Sequence, residues 1–337
     1  MKKNALLTVL LIIQGVLAFL VLTGGRELQR HAEMHRLIEF NREQLNGIHI
    51  QDNEGNVVEL NRVDGVWLTA DQFPVDAGQV DRLLEHLNQL QHGLAVAHSA
   101  SAAKRFEVSE HQYQRRLQLL QENAPVAHLY LGSGAGARRS YVRLAGQAAI
   151  YSASIGAYDL SANISDWQDK ELLQLEIDAI QSVQIGDWVV RKSSADINAA
   201  EDLSESSAAL DVASIWIAQG LVAGERFKAE DFAAQLRNLA TLRYTCGRSG
   251  AIEHAAVLAA EIVVDCADRS RTYRFYKLAD RQEFQLKVSD REEIFELSES
   301  TVKPIIQGLT RQTLVETPGP ADVEGAAMEA SQPEKSD

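Results

Sequence analysis

Cysteine is nearly missing from this chain: 337 residues hold only Cys246 and Cys266, with no CxxC pair. That spacing excludes the usual zinc-binding and thioredoxin-like motifs. In an oxidising compartment the two could close one loop, worth roughly 3 kcal/mol on the chain-entropy model; two separate buried thiols are the other reading. Basic residues are also in deficit, with 33 Lys and Arg against 47 Asp and Glu and a net charge of −14. Such a chain is a poor nucleic-acid binder, because neutralising phosphates needs clustered cations. The same deficit disfavours adhesion to anionic lipid headgroups.

Catalytic signatures are missing too. Neither Ser133 nor Ser249 sits in G-x-S-x-G, so there is no nucleophile elbow. Gly132 to Arg139 is glycine-rich, yet it lacks the Lys-Ser/Thr and following helix of a phosphate-binding loop, and strand-like residues come next; it reads as a hairpin connection. His31, Glu33 and His35 form H-x-E-x-H rather than the zinc-protease HExxH, and Asp52 to Asn56 lacks calcium-loop spacing. The expectation is therefore no catalytic residue, no metal and no cofactor.

What the sequence does have is one long uncharged run, Ala5 to Leu22. A helix of that length reaches about 27 Å, close to the hydrocarbon thickness of a bilayer. Lys2 and Lys3 precede it on a very short tail, which favours export of everything that follows; a cleaved export signal is the alternative, although such signals carry a shorter apolar core. Residues 1–23 are thus expected to be a transmembrane anchor and 24–46 a juxtamembrane helix, with Leu28, Ala32, His35, Ile38 and Leu45 near one face.

From Gly47 the period is that of strands. Gly47–Gln51 and Val57–Leu60 flank an Asn/Gly-rich turn, and Gly65–Thr69 adds a third strand. Pro74 and Asp76 announce a helix to Leu90 whose Val80, Leu83, Leu84, Leu87 and Leu90 make one apolar face. Val126–Gly132 and Ser140–Ala145 read as a hairpin, with a further strand at Ala149–Tyr151. The second half echoes the first. Gly47–Ile50 returns as Ser182–Ile185, Val66–Leu68 as Ile215–Ile217, and Val80, Leu84, Leu87 and Leu90 as Phe232, Leu236, Leu239 and Leu242; Tyr141–Gly146 resembles Phe275–Asp280, and Tyr158–Ser161 resembles Phe295–Ser298.

The fold class expected is α+β: a transmembrane helix followed by two tandem repeats of antiparallel strands packed with an amphipathic helix, at 47–178 and 179–311. Ser193 to Ala209 reads as a mobile insert. Ser289–Glu292 has capping-box spacing and is expected to open a closing helix. Residues 312–337, with three of the six prolines and six carboxylates, read as a disordered acidic tail.

The anchor, the hairpin, the Trp67 strand, Pro74-Val75-Asp76 with its helix, the strand His128–Gly132, the arginine-bearing strand Tyr141–Leu144 and the Tyr151 strand together resemble the bacterial domain-of-unknown-function family 4340, best over Gly47 to Leu173. That resemblance implies an inner-membrane, single-pass protein whose body faces the periplasm, an accessory or scaffold component beside an ABC transporter permease or auxiliary subunit, with no catalytic residues to carry over. The bilayer, met through residues 5–22, is the other expected partner. An envelope ligand-binding module is the alternative function, with Trp67, Trp216 and Arg143 as candidate contacts; an envelope hydrolase comes third, since no spacing singles out an acid/base pair.

Overall fold

The computed structural model describes Gln14 and residues 34–193, 216–279 and 281–317. The hydrophobic run therefore lies outside the described residues apart from Gln14, as do nearly all of the Ser193–Ala209 insert and residues 318–337. Among the described residues, no helix is long and apolar enough to cross a membrane. The fold is mixed, with many antiparallel strands and few helices, and its described residues fall in two units: 34–70 with 74–168, and Asp71–Phe73 with those from 169 to 317.

In the first unit, strands β1 (Gly47–Asp52), β2 (Val57–Val63) and β3 (Val66–Thr69) precede helix α1 (Ala77–Gln89). A short helix α2 (Ala100–Arg105) and strands β4 (Arg115–Gln121), β5 (Ala124–Gly134), β6 (Ser140–Leu144) and β7 (Ile150–Ala153) follow. They form one seven-stranded sheet in the order β3-β2-β1-β4-β5-β6-β7, with every pairing antiparallel. Helix α1 starts where Asp76 accepts the N–H of Gln79 at 3.0 Å, an N-cap that satisfies one orphan donor of the first turn. Its apolar stripe Val80, Leu83, Leu84 and Leu87 packs with the alternating Ile48 and Ile50 of β1, Leu117 and Leu119 of β4, and Leu129 and Leu131 of β5. Each such side chain contributes about 1.5–3 kcal/mol on burial.

The opposite face carries a smaller cluster. Ala102, Ala103 and Val108 from α2 and its exit cover Tyr130 and Ile150. Gly132 is required here: a Cβ on it would lie 2.0 Å from the Phe106 carbonyl oxygen, so the α2 exit rests directly on strand backbone.

In the second unit, β8 (Ile180–Ile185), β9 (Trp188–Lys192) and β10 (Trp216–Ala218) precede helix α3 (Ala229–Ala240). Then come β11 (Cys246–Arg248), β12 (Ala256–Cys266), β13 (Ser270–Leu278), β14 (Glu283–Val288) and β15 (Ile294–Ser298), and helices α4 (Glu299–Gly308) and α5 (Arg311–Leu314). The sheet order is β10-β9-β8-β12-β13-β14-β15-β11. Phe232, Leu236 and Leu239 of α3 meet Ile262, Val264, Tyr273, Phe275, Leu286 and Leu297 in its core.

Several expectations change. Residues 34–45 form no helix: His35–Arg36 pairs as a short strand with Gln91–His92, a single 3-10 turn spans Arg42–Gln44, and Leu37, Ile38 and Leu45 are buried in the first core. That burial outweighs whatever helical tendency the charged residues have. The division between units falls after Gln168 rather than at 178, because Leu172 and Leu173 already belong to the second core. Ser289–Glu292 is the turn between β14 and β15; the closing helix α4 begins later, capped by Ser298, whose hydroxyl accepts the Thr301 N–H at 3.3 Å. Residues 312–316, expected in a disordered tail, are instead ordered, since Leu314 is fully buried and Val315–Glu316 pairs with Arg226–Phe227. Two of the five sequence echoes join unlike positions. Tyr141–Leu144, in β6, lies three strands across the sheet from β1 whereas Phe275–Leu278, in β13, lies two strands from β8, and Tyr158–Ser161 is loop whereas Phe295–Ser298 is strand.

Candidate functional site

Burying the apolar stripe of α1 leaves a polar flank, Gln79, Arg82 and His86, at spacings of three and four, beside the edge of the buried Leu83. Facing it is the loop from Ala153 to Trp167. Ile155, Leu160 and Trp167 are pulled into the core, Trp167 with 1% exposure, and Trp167 is fixed by donating from Nε1 to the Ser161 carbonyl at 2.9 Å. The loop tip, Tyr158 and Asp159, stays outside, and Tyr158 is 96% exposed. Between helix and loop lies a cleft of about 370 Å³ lined by Gln79, Arg82, Leu83, His86, Tyr158, Asp159 and Trp167.

Its polar groups hold one another in place. His86 Nε2 is 2.8 Å from the Ser154 carbonyl oxygen, which can only accept, so that nitrogen carries the proton. His86 Nδ1 faces Asp159 Oδ1 at 4.0 Å, while Asp159 Oδ2 accepts the Gly156 N–H at 2.8 Å. Arg82 reaches toward Asp76 at 3.7 Å. The result is a wall of donors and acceptors beside one exposed aromatic ring, Tyr158, suited to holding a ligand by hydrogen bonds and ring contact. Two further clefts border the same unit. One, of about 340 Å³, lies on the other flank of α1, where Arg42 bridges to Glu85 at 2.7 Å and Asp81 at 3.3 Å; the other, of about 470 Å³, is lined by Asp52, Asn56, Arg115 and Asn163 among others. Among the described residues, no group of three His, Cys, Asp or Glu side chains is placed to hold a metal ion.

The side chains singled out in the sequence are placed elsewhere. Trp67 is 5% exposed in the first core, with only an edge on the Arg42 cleft, and Trp216 is 4% exposed in the second, so neither is an open contact. Arg143 is also buried: Nε donates to the Val108 carbonyl at 2.6 Å, Nη1 to Gln147 at 3.0 Å, and the guanidinium lies 4.9 Å from the Tyr130 ring, stitching a loop to the sheet. Cys246 and Cys266 are free thiols. Three strands separate β11 from β12, so at roughly 4.8 Å per strand spacing they are about 19 Å apart across the sheet, far beyond disulfide reach. Partial burial pushes both thiols above their ordinary pKa, which favours the protonated form.

A model of the family described as "Domain of unknown function (DUF4340)" matches residues 67–259, more than half the chain. The chain belongs to the DUF4340 family. The DUF4340 match starts about twenty residues later than the resemblance had placed it and continues well past Leu173 into the second unit, ending inside β12. Every residue lining the α1 cleft lies within the DUF4340 span. No curated protein matches the chain. No solved structure matches it either.

The cleft residues are hard to find in the sequence because the apolar periodicity of α1 is its dominant signal. The signal was present one step around the helix, where Gln79, Arg82 and His86 repeat at polar positions. That Tyr158 and Asp159 would face them has no local signature, since a long loop brings them there.

Proposed function

We propose that this chain is a membrane-anchored extracytoplasmic accessory protein, a non-catalytic scaffold associated with an ABC-type transport system. Its body is read as two tandem copies of one α+β module delivered to the periplasmic side. The observation that carries the reading is a shared order of connection. In both units three strands run outward to one edge of the sheet, an amphipathic helix follows, and the later strands are added on the other side of the first. In both, too, the chain after the helix touches the far edge, through Ala97 beside Ile150 in one and through β11 beside β15 in the other. Each copy of such a module offers a surface for association without requiring a reactive centre, which is what an assembly component needs. The uncharged run Ala5–Leu22 supports anchoring.

Two experiments test this. Affinity purification of the full chain in mild detergent should recover a transporter permease or its auxiliary subunit; repeated recovery of neither would overturn the association. Protease added to intact spheroplasts should digest the body, and a body protected until lysis would overturn the periplasmic placement.

A further inference from the structure

We propose that the cleft between α1 and the Tyr158 loop binds a neutral, polyhydroxylated ligand, a carbohydrate. This goes beyond the scaffold reading and does not rest on it, since it concerns one cleft of the first unit wherever the body resides.

At about 370 Å³ the cleft falls in the range of small-molecule sites. Its two aromatic residues have different exposures. Trp167 is fully buried at its floor, while Tyr158 at the rim is 96% exposed, leaving both faces of a large amphipathic ring in water. The loop holding that ring is braced by the Gly156 N–H to Asp159 Oδ2 bond at 2.8 Å and by the His86 bond to Ser154 at 2.8 Å, so ordering cost on binding is low. A pyranose offers an apolar C–H face to such a ring and hydroxyls around its edge. The polar lining meets those hydroxyls with both partners they need: Arg82 and the Gln79 amide donate, and Asp159 and the Gln79 carbonyl accept.

Charge argues against an ionic ligand. Arg82 has Asp76 at 3.7 Å, so the guanidinium of the cleft already faces a carboxylate, and a second carboxylate, Asp159, stands 4.0 Å from His86. A phosphate or an acidic peptide would meet Asp76 and Asp159, and a cation would meet Arg82. A ligand with many hydroxyls and no net charge avoids both penalties.

The test is isothermal titration of the full chain with neutral disaccharides (maltose, cellobiose and chitobiose), and, in separate arms, with inorganic phosphate and a pentaglutamate peptide. Saturable binding of at least one disaccharide below about 10 mM is expected, weakened roughly tenfold or more by Tyr158→Ala and unchanged by Val257→Ala, which alters an exposed apolar residue of the second unit. Because Tyr158 is almost wholly exposed, its removal should leave the melting temperature unchanged. The proposal is overturned if no disaccharide saturates, if Tyr158→Ala binds as tightly as the original chain, or if phosphate or the acidic peptide binds more tightly than every sugar.

Discussion

Arg271 has 1% of its side chain exposed, and its charge is answered from one direction: Nε and Nη2 donate to Asp290 Oδ2 at 2.9 and 2.7 Å. Its Nη1 reaches the Leu172 carbonyl at 3.4 Å, and Arg291 donates to the same oxygen at 3.2 Å. A charge withdrawn from water this far is tolerated only while its partner stays. Asp290→Ala should therefore cost on the order of 3–5 kcal/mol in urea unfolding, whereas Arg271→Met, which removes the charge and keeps the volume, should cost clearly less. Equal losses would mean that the pair is held by packing alone. The same principle separates the two kinds of arginine in the first unit. Arg143 is consumed by backbone carbonyls, and Arg82 remains at a cleft wall with its side chain 72% exposed. Sequence proximity does not separate them, because Arg143 is held by carbonyls 35 and four residues away and Arg82 faces a carboxylate six residues away.

Strands β8 and β12 are joined by more than their ladder. Ser182 Oγ donates to Asp265 at 2.7 Å, and the hydroxyls of Ser270 and Ser182 hold the Asp265 carboxyl below the ordinary carboxylate range. A carboxyl whose pKa falls on folding adds stability above its unfolded pKa of about 3.9, and that stability is lost as pH drops through the folded value. Ser182→Ala should thus cost roughly 1 kcal/mol at pH 7 and progressively less in acid, read from urea titrations across that range. A deficit that stayed constant with pH would place the effect outside this bond. At this scale much was legible in advance. The β1–β2 hairpin, β3, α1 with Asp76 as cap, and the β5–β6 pairing all follow from period and turn chemistry acting within a dozen residues. Where two local signals competed, sequence could not choose. Ser289–Glu292 has the spacing of a capping box, but Asp290 is taken by Arg271, and the cap is Ser298.

At the scale of the whole chain, Phe73 shows how far position in sequence and place in the fold can part. It follows β3 by four residues, yet it is fully buried in the second core, edge-on to Tyr244 at 5.7 Å and Phe295 at 5.8 Å. Gly247 is the seat for it, since a Cβ there would lie 2.0 Å from the Phe73 ring. Phe73→Ala should destabilise the second unit by about 3–5 kcal/mol, visible as faster amide exchange in β11 and β15 than in β1 and β4. Slower or equal exchange in β11 and β15 would show that the residue is dispensable there.

The sequence by itself determined the elements: alternation chose strands, the three-and-four spacing chose α1 and α3, and composition placed this chain among negatively charged globular proteins with one long apolar run. Those choices depend on neighbours a few bonds away, so local chemistry is enough to make them. Tertiary structure alone decided which side chains ended inside. It buried Trp67, Trp216 and Arg143, parted the two cysteines by three strands, sent Phe73 to the other unit, and set Tyr158 opposite Arg82. Each of those outcomes follows from contacts between residues distant in the chain, whose free energy exists only once the sheets and helices have closed on one another.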